Sequence, residues 1–133
     1  MIKWDDSYSV SYDGIDEQHK ILISIIQEVE TAINDDSYSF KGLIEVLNRL
    51  EEYIKVHFSY EEALMTKYDY PEKDQHFTEH NELRFKILST NLDYIEKSKD
   101  FYTETYTYLF NWLINHIMKI DKKLALFLVD KNA

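Results

Sequence analysis

The chain has 133 residues and a formal net charge of −10, long enough to bury a substantial core within one domain. Two glycines, one proline and no cysteine leave little material for strands and turns, and exclude disulfides, thiolate zinc sites and iron–sulfur clusters. The acidity disfavours nucleic acid and anionic lipid as partners, because both need a basic surface.

The opening residues, MIKWDDSYSV, lack the apolar segment of a secretory signal, and no run of about 18 apolar residues suggests a membrane span. A cytoplasmic protein is the expectation. Residues 1–12 show no helical period and read as an extended arm, with Trp4, Tyr8 and Val10 available to pack it along the body. Asp13 is suited to cap a first helix and Asp16 to favour its positive end. That helix runs to about Asp35, with Ile15, His19, Leu22, Ile26, Val29 and Ile33 at alternating spacings of four and three.

A second helix, from about Ser39 to Lys67, repeats the pattern with Leu43, Leu47, Leu50, Ile54, His57, Glu61 and Leu64. Asp69-Tyr70-Pro71 interrupts it, since proline lacks an N–H and disfavours helix in the residue before it. A third helix starts near Pro71 and carries His76, His80, Leu83, Ile87 and Tyr94 to about Lys97. The fourth, from about Phe101, presents Tyr102, Tyr106, Leu109, Leu113, His116 and Ile120, and a short segment from Lys122 to Val129 keeps Leu124 and Leu128 one turn apart. The expected fold is all-α: an antiparallel up-down-up-down four-helix bundle with an extended N-terminal arm, spanning residues 1–133 as a single domain.

All five histidines and Glu61 fall on these apolar seams. A buried carboxylate is costly unless paired or metal-bound, and a buried imidazole needs partners for both ring nitrogens. One seam histidine reads as ordinary core; five of five, with a carboxylate one turn from one of them, read as a metal site. His57 and Glu61 precede the turn by ~6 to 10 residues and His76 and His80 follow it by ~5 to 9, so at ~1.5 Å rise per residue they meet at similar depth. Five imidazoles are too many for one tetrahedral zinc and too nitrogen-rich for calcium or magnesium. Imidazole with carboxylate suits iron, and this number of ligands suits two bridged ions. The ferritin-like alternative needs Glu-x-x-His, yet the residues three before each histidine are Asp16, Ile54, Lys73, Phe77 and Leu113.

I-D-E-Q-H ending at His19, H-F-S-Y-E-E-A-L-M from His57, Tyr70-Pro71, H-F-T-E-H ending at His80 and W-L-I-N-H-I-M-K-I-D ending at Asp121 together span most of the chain. In these motifs the sequence resembles the bacterial hemerythrins, single four-helix domains whose non-haem di-iron centre binds dioxygen. The resemblance implies two iron ions bridged by an oxo or hydroxo group. It implies His76, His80 and His116 on one iron, His19 and His57 on the other, and Glu61 and Asp121 bridging, with dioxygen taking the vacancy on the second iron. Spacing alone does not select Asp121: it lies about 140° from His116 on an ideal helix, where it reads as a surface aspartate, and joins the site only if the helix widens, kinks or ends there. The family often has an aromatic three residues after His80, where this chain has Leu83, with Phe85 two further on.

Trp112, Leu113 and Ile117 flank His116 and are candidates for an apolar dioxygen pocket, with Ile15 and Leu22 opposite; at these spacings all are equally ordinary core. The resemblance points to reversible dioxygen binding for storage, delivery or scavenging, without enzymatic activity and with no obligate protein partner. The alternatives are an oxygen or redox sensor module and a di-iron oxidase or peroxidase acting on peroxide or nitric oxide. The seams hold no acid, base or nucleophile beyond the candidate ligands, which weighs against the enzyme.

Overall fold

Helix signals in the sequence become capped helices in a computed structural model that describes residues 2–35, 39–91 and 99–133, with the side chains of residues 40, 87–91, 99–102, 105 and 117 outside that description. The arm is irregular and contains a short 3-10 turn, Asp6–Tyr8. Helix α1 spans Asp13–Asn34. Asp13 thus lies inside the first turn, and Tyr12 precedes the helix without a side-chain cap. Asp16 does more than complement the helix end. Its carboxylate accepts Ser9 Oγ at 2.6 Å and the Val10 amide at 2.8 Å, pinning the arm to α1.

Helix α2 spans Phe40–Lys67, and Ser39 caps it by accepting the Gly42 amide at 3.0 Å. Its end is a left-handed stop. Asp69 takes φ 53°, the Tyr70 amide reaches back to the Met65 carbonyl at 2.9 Å, and Asp69 N to that of Thr66 at 3.4 Å. That is a Schellman pattern, with aspartate tolerated where glycine is usual and Tyr70 and Met65 in one apolar cluster. Pro71 then lies in a turn, and α3 starts at Lys73, two residues later than the proline suggests, running to Asn91. The expected continuation through Tyr94 to Lys97 lies outside the described residues.

Helix α4 spans Lys99–His116, a π-helical turn follows over Ile117–Asp121, and α5 continues over Lys122–Asp130. The residues at both joints keep right-handed helical geometry, so the three pieces form one rod. Helix α1 packs on α2 and α4, and α2 on α3, as in an up-down-up-down bundle. Among the described residues no helix is long and apolar enough to cross a membrane.

Two apolar clusters fill the bundle. The larger includes Leu22, Ile26, Leu50, Ile54, Phe58, Leu83, Leu109 and Leu113; the smaller joins Val10, Ile15, Met65, Tyr70, Leu124, Ala125 and Leu128. Every rod passes from one cluster to the other, and the polar seam residues lie at each crossing. His19 falls between Ile15 and Leu22, Glu61 between Phe58 and Met65, His76 and His80 between Tyr70 and Leu83, and His116 and Asp121 between Leu113 and Leu124. Each fully buried apolar side chain contributes roughly 1.5–3 kcal/mol, which offsets the cost of the polar layer between them. The arm closes one end through Val10, 2% exposed.

Candidate metal centre

His19, His57, Glu61, His76, His80, His116 and Asp121 are all at most 3% exposed. For His57 and Glu61 the roughly two turns of α2 between His57 and Met65 explain why. His57, Glu61 and the apolar Phe58 and Met65 share the inward side of α2 at spacings of three and four, so the polar pair is buried with its neighbours.

The ring nitrogens converge in two groups. His76 Nε2 and His80 Nε2 lie 3.3 and 3.2 Å from His116 Nε2, and His19 Nε2 lies 3.2 Å from His57 Nε2. Asp121 faces both groups, with Oδ1 2.6 Å from His116 and 3.1 Å from His76, and Oδ2 2.7 Å from His19 and 3.1 Å from His57. Glu61 Oε1 stands 3.2 Å from His80 and 3.4 Å from His57. The donor atoms of Glu61, His76, His80, His116 and Asp121 all lie within 4.8 Å of one another, and so do those of His19, His57, Glu61 and Asp121. The two carboxylates belong to both sets.

Hydrogen bonding alone does not account for this packing. Each Nε2 has one hydrogen or one lone pair, yet His116 Nε2 meets two other ring nitrogens and a carboxylate oxygen within 3.3 Å. Both oxygens of Glu61 and Oδ1 of Asp121 are buried without a hydrogen-bond partner. Ligands of one ion at ~2.1 Å stand ~3 Å apart, which is the spacing seen. The residues fit two metal ions sharing two carboxylates, and the nitrogen–oxygen donor set suits iron.

A π-helical turn brings Asp121 in. The turn over Ile117–Asp121 adds a residue to the helical circuit, so an aspartate five positions after His116 rejoins its face. The widening required by the resemblance is there, and Asp121 is 0% exposed rather than on the surface.

Three polar residues that spacing did not single out brace the histidines, each across a helix boundary. Gln18 of α1 accepts from His57 Nδ1 at 2.8 Å, Glu62 of α2 from His80 Nδ1 at 2.7 Å, and Glu79 of α3 faces His116 Nδ1 at 3.4 Å. These contacts fix the tautomer that turns Nε2 inward. The signal was present in the sequence: each brace is the immediate neighbour of a seam histidine or of Glu61, Gln18 of His19, Glu62 of Glu61 and Glu79 of His80. Phe58 stacks on His80 at 3.8 Å and 9°, and Trp112 on His116 at 4.5 Å and 15°. Leu113 is 2% exposed in the cluster that contains Leu22; the Ile117 side chain lies outside the described residues.

Charge couples the two halves. Burial alone would lower the His76 pKa, but the adjacent Asp121 and Glu61 carboxylates push it up to about 9. Burial opposes the charge on His57 and His116 too, and the same acids raise both. In return His116, His19 and His57 hold Asp121 well below the usual carboxylate range although its burial acts the other way. His80 differs: burial prevails and lowers its pKa.

A bundle that gathers five imidazoles and two shared carboxylates between two oily layers defines a histidine–carboxylate metalloprotein with donors for a pair of ions. The family model of the hemerythrin HHE cation binding domain matches residues 10–128, and the chain belongs to the hemerythrin family. It is similar to the bacteriohemerythrin of Clostridium acetobutylicum, 26% identical over 126 residues that cover 92% of this chain and 98% of that one. It is 30% identical over 122 residues to the myohemerythrin of Riftia pachyptila, covering 90% and 88%. A crystal structure of wild-type hemerythrin has the same fold, with a TM-score of 0.82 at 23% identity over 94% of this chain and 95% of that one.

Proposed function

We propose that this chain binds dioxygen reversibly at a non-haem di-iron centre, as a single-domain cytoplasmic protein that stores, delivers or scavenges oxygen and is not an enzyme. Its partner is dioxygen itself, with no nucleic acid, membrane or obligate protein partner. His76, His80 and His116 would hold one iron, His19 and His57 the other, and Glu61 and Asp121 would serve both. The observation that carries this reading is the unequal division of donors, five residues in one group and four in the other with two in common.

When bound, the iron pair supplies the electrons and the open coordination position that dioxygen binding needs. The chain's own residues do the rest. The three-histidine side has one imidazole more than the other, so the two-histidine side is where a small diatomic ligand would bind. Trp112 and Leu113, with Ile15 and Leu22 on α1, would supply the apolar shell that withholds water and stray protons. Trp112 closes the three-histidine side by covering the His116 ring. Gln18, Glu62 and Glu79 keep the imidazoles aimed inward while the ligand comes and goes.

Oxygenation cycling tests the proposal. The reduced, iron-loaded protein is exposed to air and then deoxygenated, repeatedly. Return of the same visible spectrum in each cycle is expected; one-way conversion to the ferric form with turnover of added peroxide marks an enzyme instead.

A further inference from the structure

Of the braces behind the histidines, Glu62 is itself held. Arg84 donates to both of its oxygens, Nη1 to Oε2 at 2.8 Å and Nη2 to Oε1 at 3.0 Å. Oε2 is the same oxygen that accepts from His80 Nδ1 at 2.7 Å. Phe58 lies under both ends of this chain: its ring stacks on His80 at 3.8 Å, and the Arg84 guanidinium carbon is 5.2 Å from its centroid. The Arg84 and Glu62 side chains are 33% and 17% exposed, so a charged, two-pronged contact runs from the rim of the bundle to the ring nitrogen of a seam histidine.

A carboxylate that takes the Nδ1 hydrogen pushes electron density through the imidazole to Nε2, the atom that faces the metal site, and so favours the more oxidised ion. A guanidinium on the same oxygen competes for its lone pairs and weakens that push. We infer that Arg84 is a positioning residue for the iron pair: by gripping Glu62 it limits how strongly His80 donates, and holds the centre toward the ferrous form that binds dioxygen. The inference rests on the di-iron reading. It assigns a role to a residue one helical turn beyond His80 on α3.

Two substitutions should act with opposite sign. Glu62→Gln removes the strong acceptor and shifts the midpoint potential of the iron pair to more positive values. Arg84→Met keeps an unbranched stem over Phe58, frees Glu62 to pull harder on His80, and shifts the potential to more negative values. In the Glu62→Gln background the shift from Arg84→Met should shrink to a minor part of its wild-type size, because the main route from Arg84 to His80 runs through Glu62. Arg84→Lys, which keeps the charge but not the fork, should fall between wild type and Arg84→Met; that pair carries the test if Glu62→Gln fails to fold or load. Potentials are read by spectroelectrochemical titration of the loaded protein, with iron content and helix content held as controls. Shifts of the same sign in both single variants, no shift in either, or an Arg84→Met shift that persists undiminished without Glu62 would overturn the inference. A wild-type protein that binds one iron or none would instead sink the di-iron reading, and the two failures are separable.

Discussion

Asp121 Oδ1 lies 2.6 Å from His116 Nε2 although the two residues are five apart on one helical rod. In an α-helix they would face away from each other; the π-helical turn over Ile117–Asp121 returns the carboxylate to the seam. The oxygens of Asp121 are divided between the two histidine groups, so with Glu61 it makes one site of two.

Replacing Asp121 with Ala should therefore reduce iron from two per chain to one or fewer while the helices persist. Metal analysis alongside circular dichroism checks this. Full iron content in the variant would remove Asp121 from the ligand set.

His116 shows the cost of thinning the pairing of a buried charge. His116→Ala takes away the foremost of the histidines that hold the Asp121 carboxylate ionised and strips Trp112 of its stacking surface. Breaking a buried pair this way costs about 3–5 kcal/mol, so denaturant unfolding of the metal-free variant should show a loss of that order together with lower iron content after loading. Unchanged stoichiometry would exclude His116 as a ligand.

Leu113 is 2% exposed beside His116 and makes no polar contact that loading would need. Leu113→Asn should leave iron bound but hasten autoxidation of the oxygenated form, because a polar group brings water into the apolar shell. Stopped-flow decay of the visible spectrum reads the rate; an unaltered rate would place the pocket elsewhere.

Iron loading should release protons. With no ion bound, the acids hold His76 protonated up to about pH 9, against ~6.5 for an unfolded histidine. That pair's stabilisation of the metal-free fold is full below ~6.5 and is lost as pH rises through about 9. Metal needs the neutral ring, so apparent iron affinity should climb over that window and anaerobic Fe(II) addition at pH 7 should acidify a weakly buffered solution by about one proton per chain or more. Loading without proton release would contradict this charge arrangement.

The arm depends on one carboxylate. Asp16→Ala removes the acceptor for Ser9 and Val10, with an expected loss of about 1.5–3 kcal/mol per charged hydrogen bond. Limited proteolysis should cut the variant first within residues 1–12, with iron content unchanged. Equal resistance to the wild type would mean that Val10 packing alone holds the arm.

Much of this was legible in the sequence because seam periodicity and burial have the same cause. Ile15, His19, Leu22, Ile26, Val29 and Ile33, expected to face inward from α1, are all buried. In α2 the register drifts, and Val46, Phe58 and Met65 are buried where Leu47 and Leu64 are only half-buried, since a 3.6-residue helix slips against a strict four-three count. The braces Gln18, Glu62 and Glu79 escaped because each serves a histidine on the next helix, a relation that depends on how the rods are rotated. Asp16 lies in the first turn of α1, where its charge suits the positive end, and it also clasps the arm, because a helix-end charge preference does not say which arm amide folds back onto it.

Anomalous diffraction at the iron edge from crystals of the loaded protein addresses the account most directly. Two peaks roughly 3–4 Å apart are expected, one against His76, His80 and His116 and the other against His19 and His57, with Glu61 and Asp121 between. A single peak, or histidine rings turned outward into solvent, would contradict it.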